Sequence, residues 1–494
     1  MRSPVRAPFM LVALLAVATV PACERDNPNP LSPGGVGLQA DKILQLVDDD
    51  PSGRIATIST NGSIDRGNPF FQSLGTNGRS CASCHLQASG FGLSAAAVRT
   101  VFAASGGTDP LFAAVDGANC PSVTPADGAG GHSLLLDHGL IRVGVSVPTG
   151  AGTDFTIAAV HNPYGCALQG SPLAVSMYRR PLPTTNLRFL SAVMFDGRET
   201  VQPLNNGSTF LANLRADLAH QAIDATLGHA QASTAPTAAQ VNAIVDFELA
   251  LFSAQRLDDS TGVLNAQGAS GGPDALTSAL YYPGINDPLG GNPTGATFQP
   301  AAFTIYAPWN GLKSSNPYTA ARQAVVRGQA VFNTHPLSIT HVTGLNDALG
   351  IPAINGTCTT CHDAPNIGNH SLPVPLDIGT SHDLTNEFAP EIRAALAQLS
   401  MPDLPVYQVT CTSGPLAGTV RYTSDPGRAL ISGHCADLGR IKGPILRGLA
   451  SRAPFFHNGA AASIEQVVEF YNARFQINLT AQEKSDLVAF LRSL

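Results

Sequence analysis

The sequence predicts a mainly α fold with little β, in two domains that carry long loop-rich insertions. Three observations predict it. Apolar residues recur at helical spacing behind capping signals, while no period-two run is long enough for a substantial sheet. The chain has 48 Gly and 37 Pro among 494 residues, which favours short helices and long loops over a bundle or solenoid. At ~100–200 residues per domain the length allows two or three domains. With 28 basic against 35 acidic side chains, the chain lacks the basic face a nucleic-acid binder needs.

Along the chain, Arg2 and Arg6 precede the apolar run 9–20, which is too short to span a bilayer as a helix. Residues 1–22 have the three-part pattern of an export signal. Ala22 before Cys23 matches a lipoprotein signal, with Cys23 as the lipid anchor and only membrane contact. Pro21 is atypical there, so plain cleavage is the alternative. Residues 23–40 read as a tether. The patch PFFQSLGTNGRS (69–80) follows, and 105–180 reads as a long ordered insertion. TAAQ (237–240) is a capping box opening a helix through Gln255, with Val241, Ile244, Val245, Leu249 and Phe252 at helical spacing. Residues 257–315 return to loop. Further helices are expected over 318–333 and after SIEQ (463–466) and TAQE (480–483).

The cysteines carry the chemistry. Cys81, Cys84, Cys358 and Cys361 lie in two CxxCH motifs, CASCH (81–85) and CTTCH (358–362). Two thiols at this spacing can add to the vinyl groups of one haem, placing His85 or His362 beneath the ring as proximal iron ligand. A shared zinc site would want the two motifs closer than 277 positions, and a redox dithiol would want a strand where GTNGRS stands. The expected cofactors are therefore two covalently bound haem c groups. They imply c-type cytochrome domains over 41–316 and 317–494. Cys120, Cys166, Cys411 and Cys435 remain as an even set for an oxidising compartment. Nearest neighbours would pair Cys120 with Cys166 and Cys411 with Cys435, but three pairings are open.

SCASCH with GFGLS, LPTTNLRFLSAVMFDGRE (182–199) and KGPILRGLASRAPFFHNGAAASIEQVVEFYN (442–472) resemble the bacterial diheme cytochrome c peroxidase and MauG-like family. The resemblance covers both CxxCH motifs and the C-terminal third, but not 95–175, 260–315 or 370–440. It implies a periplasmic enzyme that reduces hydrogen peroxide at an N-terminal haem. A C-terminal haem would supply electrons taken from a small c-type cytochrome or a copper protein. In the family a Met or Tyr fourteen residues after the His of FHDG ligates the second iron. Here that His is His457 and the ligand is expected to be Tyr471, with His457 itself and Met401 as rivals. Where the family often has a Trp before DGR, this chain has Phe195. The family's catalytic Glu has no match after Gln221; position 231 is Gln. A neutral His suits proton transfer between peroxide oxygens, so His229 is the candidate base. Arg198 is the candidate distal or propionate cation, and His132, His138 and His161 are alternative sixth ligands. Pro181 and Arg452 stand where side-chain calcium ligands would be, so no family-type calcium site is expected.

Two other readings stand beside this one, the first drawn from the loss of the family's Trp and Glu together with Phe195 and the large insertion. One is a rubber-oxygenase-like diheme oxygenase acting on an apolar substrate. The other is a non-catalytic electron-transfer cytochrome with both irons six-coordinate.

Overall fold

The computed structural model describes residues 42–43, 45–204, 207–313, 315–381 and 389–494. The export signal, Cys23 and the tether lie outside them. Strands β1 (Gln45–Asp50) and β2 (Gly53–Ser59) form an antiparallel hairpin. Beyond CASCH, the Ser94 side chain accepts from Ala97 N and starts α1 (Ala95–Ser105). The Gly-rich insertion carries β3 (Ile141–Ser146), β4 (Phe155–His161) and β5 (Ala174–Arg179). Next come α2 (Phe210–Gly228), α3 (Ala238–Ala250) and β6 (Leu251–Asp258). The second half contains α4 (Thr319–Thr334), β7 (Val406–Cys411), β8 (Val420–Thr423), α5 (Ile464–Arg474) and α6 (Ala481–Arg492).

The expectation of a mainly α fold with little β is overturned. Among the described residues helix, 3-10 turns included, accounts for 34% and strand for 16%, and the strands fall into five small antiparallel sheets. Two features hid them. The pairings are distant in sequence: β6 joins β2, with Phe252 opposite Ile58, and β4 joins β7, with Ile157 opposite Val409. Strands β5 and β6 are also buried on both sides, so they lack the alternation that marks a half-exposed strand. Strands β4, Phe155–His161, and β7, Val406–Cys411, do alternate, but each is short and flanked by loop.

The helix expected through Gln255 stops at Ala250. Leu251 turns extended, and Phe252 and Ala254 enter β6, where they face β2. An apolar run buried in either state does not declare its period, and sheet pairing decides it. The other helices form where the caps predict. Thr237 with Gln240, and Thr480 with Glu483, are closed capping boxes. Helices α4 and α6 pack closely around Phe332 and Phe490. A Cβ at Gly328 would overlap the Asp486 carbonyl, so that crossing requires glycine. The nearest-neighbour disulfides, Cys120–Cys166 and Cys411–Cys435, are the ones formed.

Candidate functional site

The two CxxCH segments fold alike. Each is a single 3-10 turn closed by a capping box, Ser80 with Ser83 and Thr357 with Thr360. His85 Nδ1 donates to the Phe91 carbonyl at 3.3 Å, and His362 Nδ1 to the Gly368 carbonyl at 2.7 Å, each six residues downstream. To aim those carbonyls, Phe91 takes φ 58° and Gly368 φ 82°. With Nδ1 occupied, Nε2 is the nitrogen left to bind a metal. Burial pushes His85 down to about 4 and lowers His362 as well, so both are neutral imidazoles. The four motif thiols form no disulfide. Burial pushes Cys81 and Cys84 up to about 12, the opposite of the depressed thiol a redox dithiol uses.

Each motif opens into a large cavity. The first is lined by Cys81, Cys84 and His85 together with Arg198, Gln221, His229 and Glu248. At its wall, His229 caps the C-terminus of α2, and its Nδ1 bonds to the Asp116 carboxylate. Asp116 also pairs with the buried Arg79 guanidinium, which donates further to the carbonyls of Pro110 at 2.7 Å and Leu111 at 2.8 Å. Burial alone would raise the Asp116 carboxyl, but its bonds to His229 and Arg79 hold it below the ordinary range. The ionised carboxylate fixes the Nδ1–H tautomer of His229 and leaves Nε2 as the acceptor.

The second cavity is lined by Cys358, Cys361, His362, His370, His457 and Tyr471. The Tyr471 ring lies 6.4 Å from that of His362, and burial raises its hydroxyl pKa above the usual phenol range. His370 is 5.3 Å from His362, ring to ring, and burial pushes it down to about 3. His457 Nε2 is 3.2 Å from Ser381 Oγ and 3.7 Å from Asp425. Met401 does not line the cavity; it packs near Phe470 and Leu396.

The cavities share a wall made of residues 180–183, Phe195, Lys442, Pro444, Ile445 and Arg452. Arg179, buried, clamps that wall: it donates to Asp196 at 2.5 Å and to Asp425 at 2.6 and 2.8 Å. Lys442 N donates to the Phe195 carbonyl at 2.6 Å. Three wall cations, buried Arg180 and Lys442 and half-buried Arg452, have no acid acting on them. Burial pushes Arg180 down to about 9, aided by Arg452; Lys442 falls to about 8 and Arg452 to about 10. Arg180 Nε has no partner at all. Uncompensated buried cations are costly, and two haems, with their paired propionates, would supply the missing anions. The residues present therefore fit haem c in both cavities.

Of the residues expected from sequence, His229, Arg198 and Phe195 come together at the first cavity, and Phe195 also reaches the second. Arg198 is paired with Asp196 at 3.1 Å. His132, His138 and His161 line neither cavity and bond instead to Gly117, Gly459 and Asp403. Trp309 is buried in the α4/α6 core. Sequence reasoning missed Asp116, Glu248, His370 and the cations Arg180 and Lys442. Glu248 could have been found, because it falls on the apolar stripe of Val241, Ile244 and Val245. Nothing in the insertion singles out Asp116.

No family model matches the chain. A cytochrome-c peroxidase of Denitromonas iodatirespirans is 30% identical over 146 residues, 28% of this chain and 36% of that protein. A cytochrome c551 peroxidase of Nitrosomonas europaea is 37% identical over 100 residues, 17% of this chain and 30% of its own length. A cytochrome-c peroxidase of a Pseudomonas species is 29% identical over 164 residues, 29% and 38% of the two chains. The matches span about a third of the length of these curated relatives. The solved structure of a MauG-like protein associated with microbial copper homeostasis aligns over 87% of both chains, at 15% identity and a TM-score of 0.34. Relatives of this kind imply haem c as the cofactor. Over part of its length the chain is related to bacterial cytochrome-c peroxidases.

Proposed function

We propose that the chain is a diheme c-type peroxidase. It reduces hydrogen peroxide to two waters with two electrons and two protons, the electrons coming from a small c-type cytochrome or a copper protein. One haem c belongs to residues 41–316 and one to 317–494. The protein is exported to the periplasm, anchored there through lipid on Cys23 or released. The observation that carries the reading is the pair of adjoining cavities, each opened by a CxxCH histidine with its Nδ1 already bonded, meeting at Phe195.

Haem c held at Cys81, Cys84 and His85 would supply the redox chemistry for peroxide, and haem c held at Cys358, Cys361 and His362 would supply electron transfer. The chain's own residues do the rest. His229, held by Asp116, accepts a proton at Nε2 from one peroxide oxygen and returns it to the other as the O–O bond breaks. Arg198, beside it in the wall, favours negative charge developing on the departing oxygen. Phe195 excludes water between the cavities, and Arg180, Lys442 and Arg452 take the propionates. Tyr471, 6.4 Å ring to ring from His362, would hold the second haem's iron together with it. His457 is already turned to Ser381 and Asp425, and Met401 lies off the cavity.

Spectra of the oxidised and half-reduced protein, followed by peroxide consumption with a reduced small cytochrome, test this. The expected result is one high-spin iron that binds cyanide, with peroxide-dependent oxidation of the donor. Two six-coordinate irons that bind neither cyanide nor peroxide would overturn it, leaving an electron-transfer cytochrome.

A further inference from the structure

Thr237 and Thr480 each close a capping box, and each opens a helix against one of the two cavities. Counted from these caps, α3 and α6 turn the same positions inward. Ile244 and Glu248 line the first cavity, and Leu487 and Leu491 line the second. One pair is mismatched in chemistry: where α6 offers an aliphatic side chain, α3 offers a carboxyl group. Glu248 is 4% exposed, and its Oε2 has no hydrogen-bond partner.

The elements around Glu248 give it no counter-charge. On α3 itself, Asp246 is exposed and paired with Arg215 of α2 at 2.6 Å. On α2, His220 bonds Glu199 at 2.7 Å, with Asp224 beside it, while Asp217 takes the Val201 and Gln202 amides. His229 is held by Asp116. The turn at 69–71 brings only Pro69, Phe70 and Phe71, and the turn at 187–189 brings Arg188. The CASCH turn brings Cys81, Cys84 and His85, and Cys81 is the group Glu248 acts upon. Of the wall cations, Arg79, Arg179 and Arg198 are paired with aspartates. Arg180, Lys442 and Arg452 belong to the shared wall. Burial is the cause that matters, and it pushes the carboxyl up to about 8.

We propose that Glu248 is the redox-linked proton site of the first cavity: its carboxylate takes up one proton when one electron enters that cavity and releases it when the electron leaves. This rests on the reading of haem c at Cys81, Cys84 and His85. One electron arrives from the one-electron donor, one proton arrives from solvent, a carboxyl O–H bond forms, and the charge of the cavity is unchanged. The coupling follows from the surroundings. In a poorly screened cavity an added electron raises the proton affinity of a nearby carboxylate. Where the oxidised cavity holds Glu248 ionised, one of the two protons that peroxide reduction consumes is thus stored with the electron.

The test is a spectroelectrochemical titration of the first haem in the full haem-loaded chain, from about pH 5 to about pH 10. The wild type is expected to shift its reduction equilibrium about tenfold per pH unit across the window in which Glu248 titrates. Glu248→Gln and Glu248→Leu, the latter copying the second cavity, are expected to flatten that window. The reduced-minus-oxidised infrared spectrum should show a protonated-carboxyl band in the wild type that is missing in Glu248→Gln. A slope that survives in both variants would assign the proton to the propionates or to His229 and overturn the proposal. A flat wild-type titration with both haems attached would overturn it as well. Unmodified Cys81 and Cys84 on denaturing mass spectrometry would instead remove the underlying haem reading.

Discussion

Asp116 and His229, 113 positions apart, meet through a carboxylate–imidazole hydrogen bond at the wall of the first cavity. Asp116 comes from the Gly-rich insertion and His229 from the end of α2, so the insertion is part of the site's construction. The same carboxylate neutralises Arg79, two residues before the first haem-motif cysteine. One side chain thereby fixes the tautomer of the candidate base and anchors the start of CASCH.

His229→Gln keeps the ring's approximate volume and removes its proton chemistry. Peroxide turnover is expected to fall by ~10²–10⁴-fold, measured as donor oxidation at saturating peroxide. Haem content and melting temperature should hold, because the side chain is 37% exposed and caps only the helix end.

Asp116→Ala acts on the fold as well. It leaves the Arg79 guanidinium, 2% exposed, without its anion, a change expected to cost ~3–5 kcal/mol in denaturant unfolding. Burial raises the Asp116 carboxyl, but its bonds to His229 and Arg79 outweigh that and lower it overall. The stability it contributes is therefore present above the ordinary carboxylate range and lost as pH falls through its folded value. Asp116→Ala should narrow the gap to wild type in acid.

Glu248 has the opposite sign. Burial lifts its folded value from 4.5 to about 8, so the folded protein holds this proton more tightly than the unfolded chain. Its contribution is fully present below about 4.5 and is lost as pH rises towards about 8. Unfolding of Glu248→Gln against wild type should show the variant gaining relative stability across that interval. A constant difference would show that Glu248 is ionised throughout.

The sequence made some of this legible and hid the rest for physical reasons. Short-range signals succeeded: the capping boxes at Thr237 and Thr480, the CxxCH turns, and α4 over Thr319–Thr334. The same chain spacing placed Phe195, Arg198, Gln221 and His229 around one cavity. What failed depends on distant pairing. Strands such as β6 continue directly from a helix, and doubly buried strands carry no alternation, so a mixed fold was taken for a mainly α one. Asp116 stayed hidden because a lone aspartate among glycines has no local mark.

Tyr471→Phe removes only the hydroxyl at the second cavity. The expected outcome is loss of any phenolate-to-iron charge-transfer band and a changed spin state of the second iron. His457→Gln should leave that band in place, because its ring is turned to Ser381 and Asp425. An unchanged Tyr471→Phe spectrum would make Tyr471 a packing residue.

Everything proposed depends on haem bound covalently at both CxxCH motifs. Denaturing mass spectrometry of the full chain, produced with a working haem-maturation system, measures this directly. The prediction is a mass increment of two haems, falling to one in Cys81→Ser/Cys84→Ser and likewise in Cys358→Ser/Cys361→Ser. An increment of fewer than two haems on the unaltered chain would contradict it.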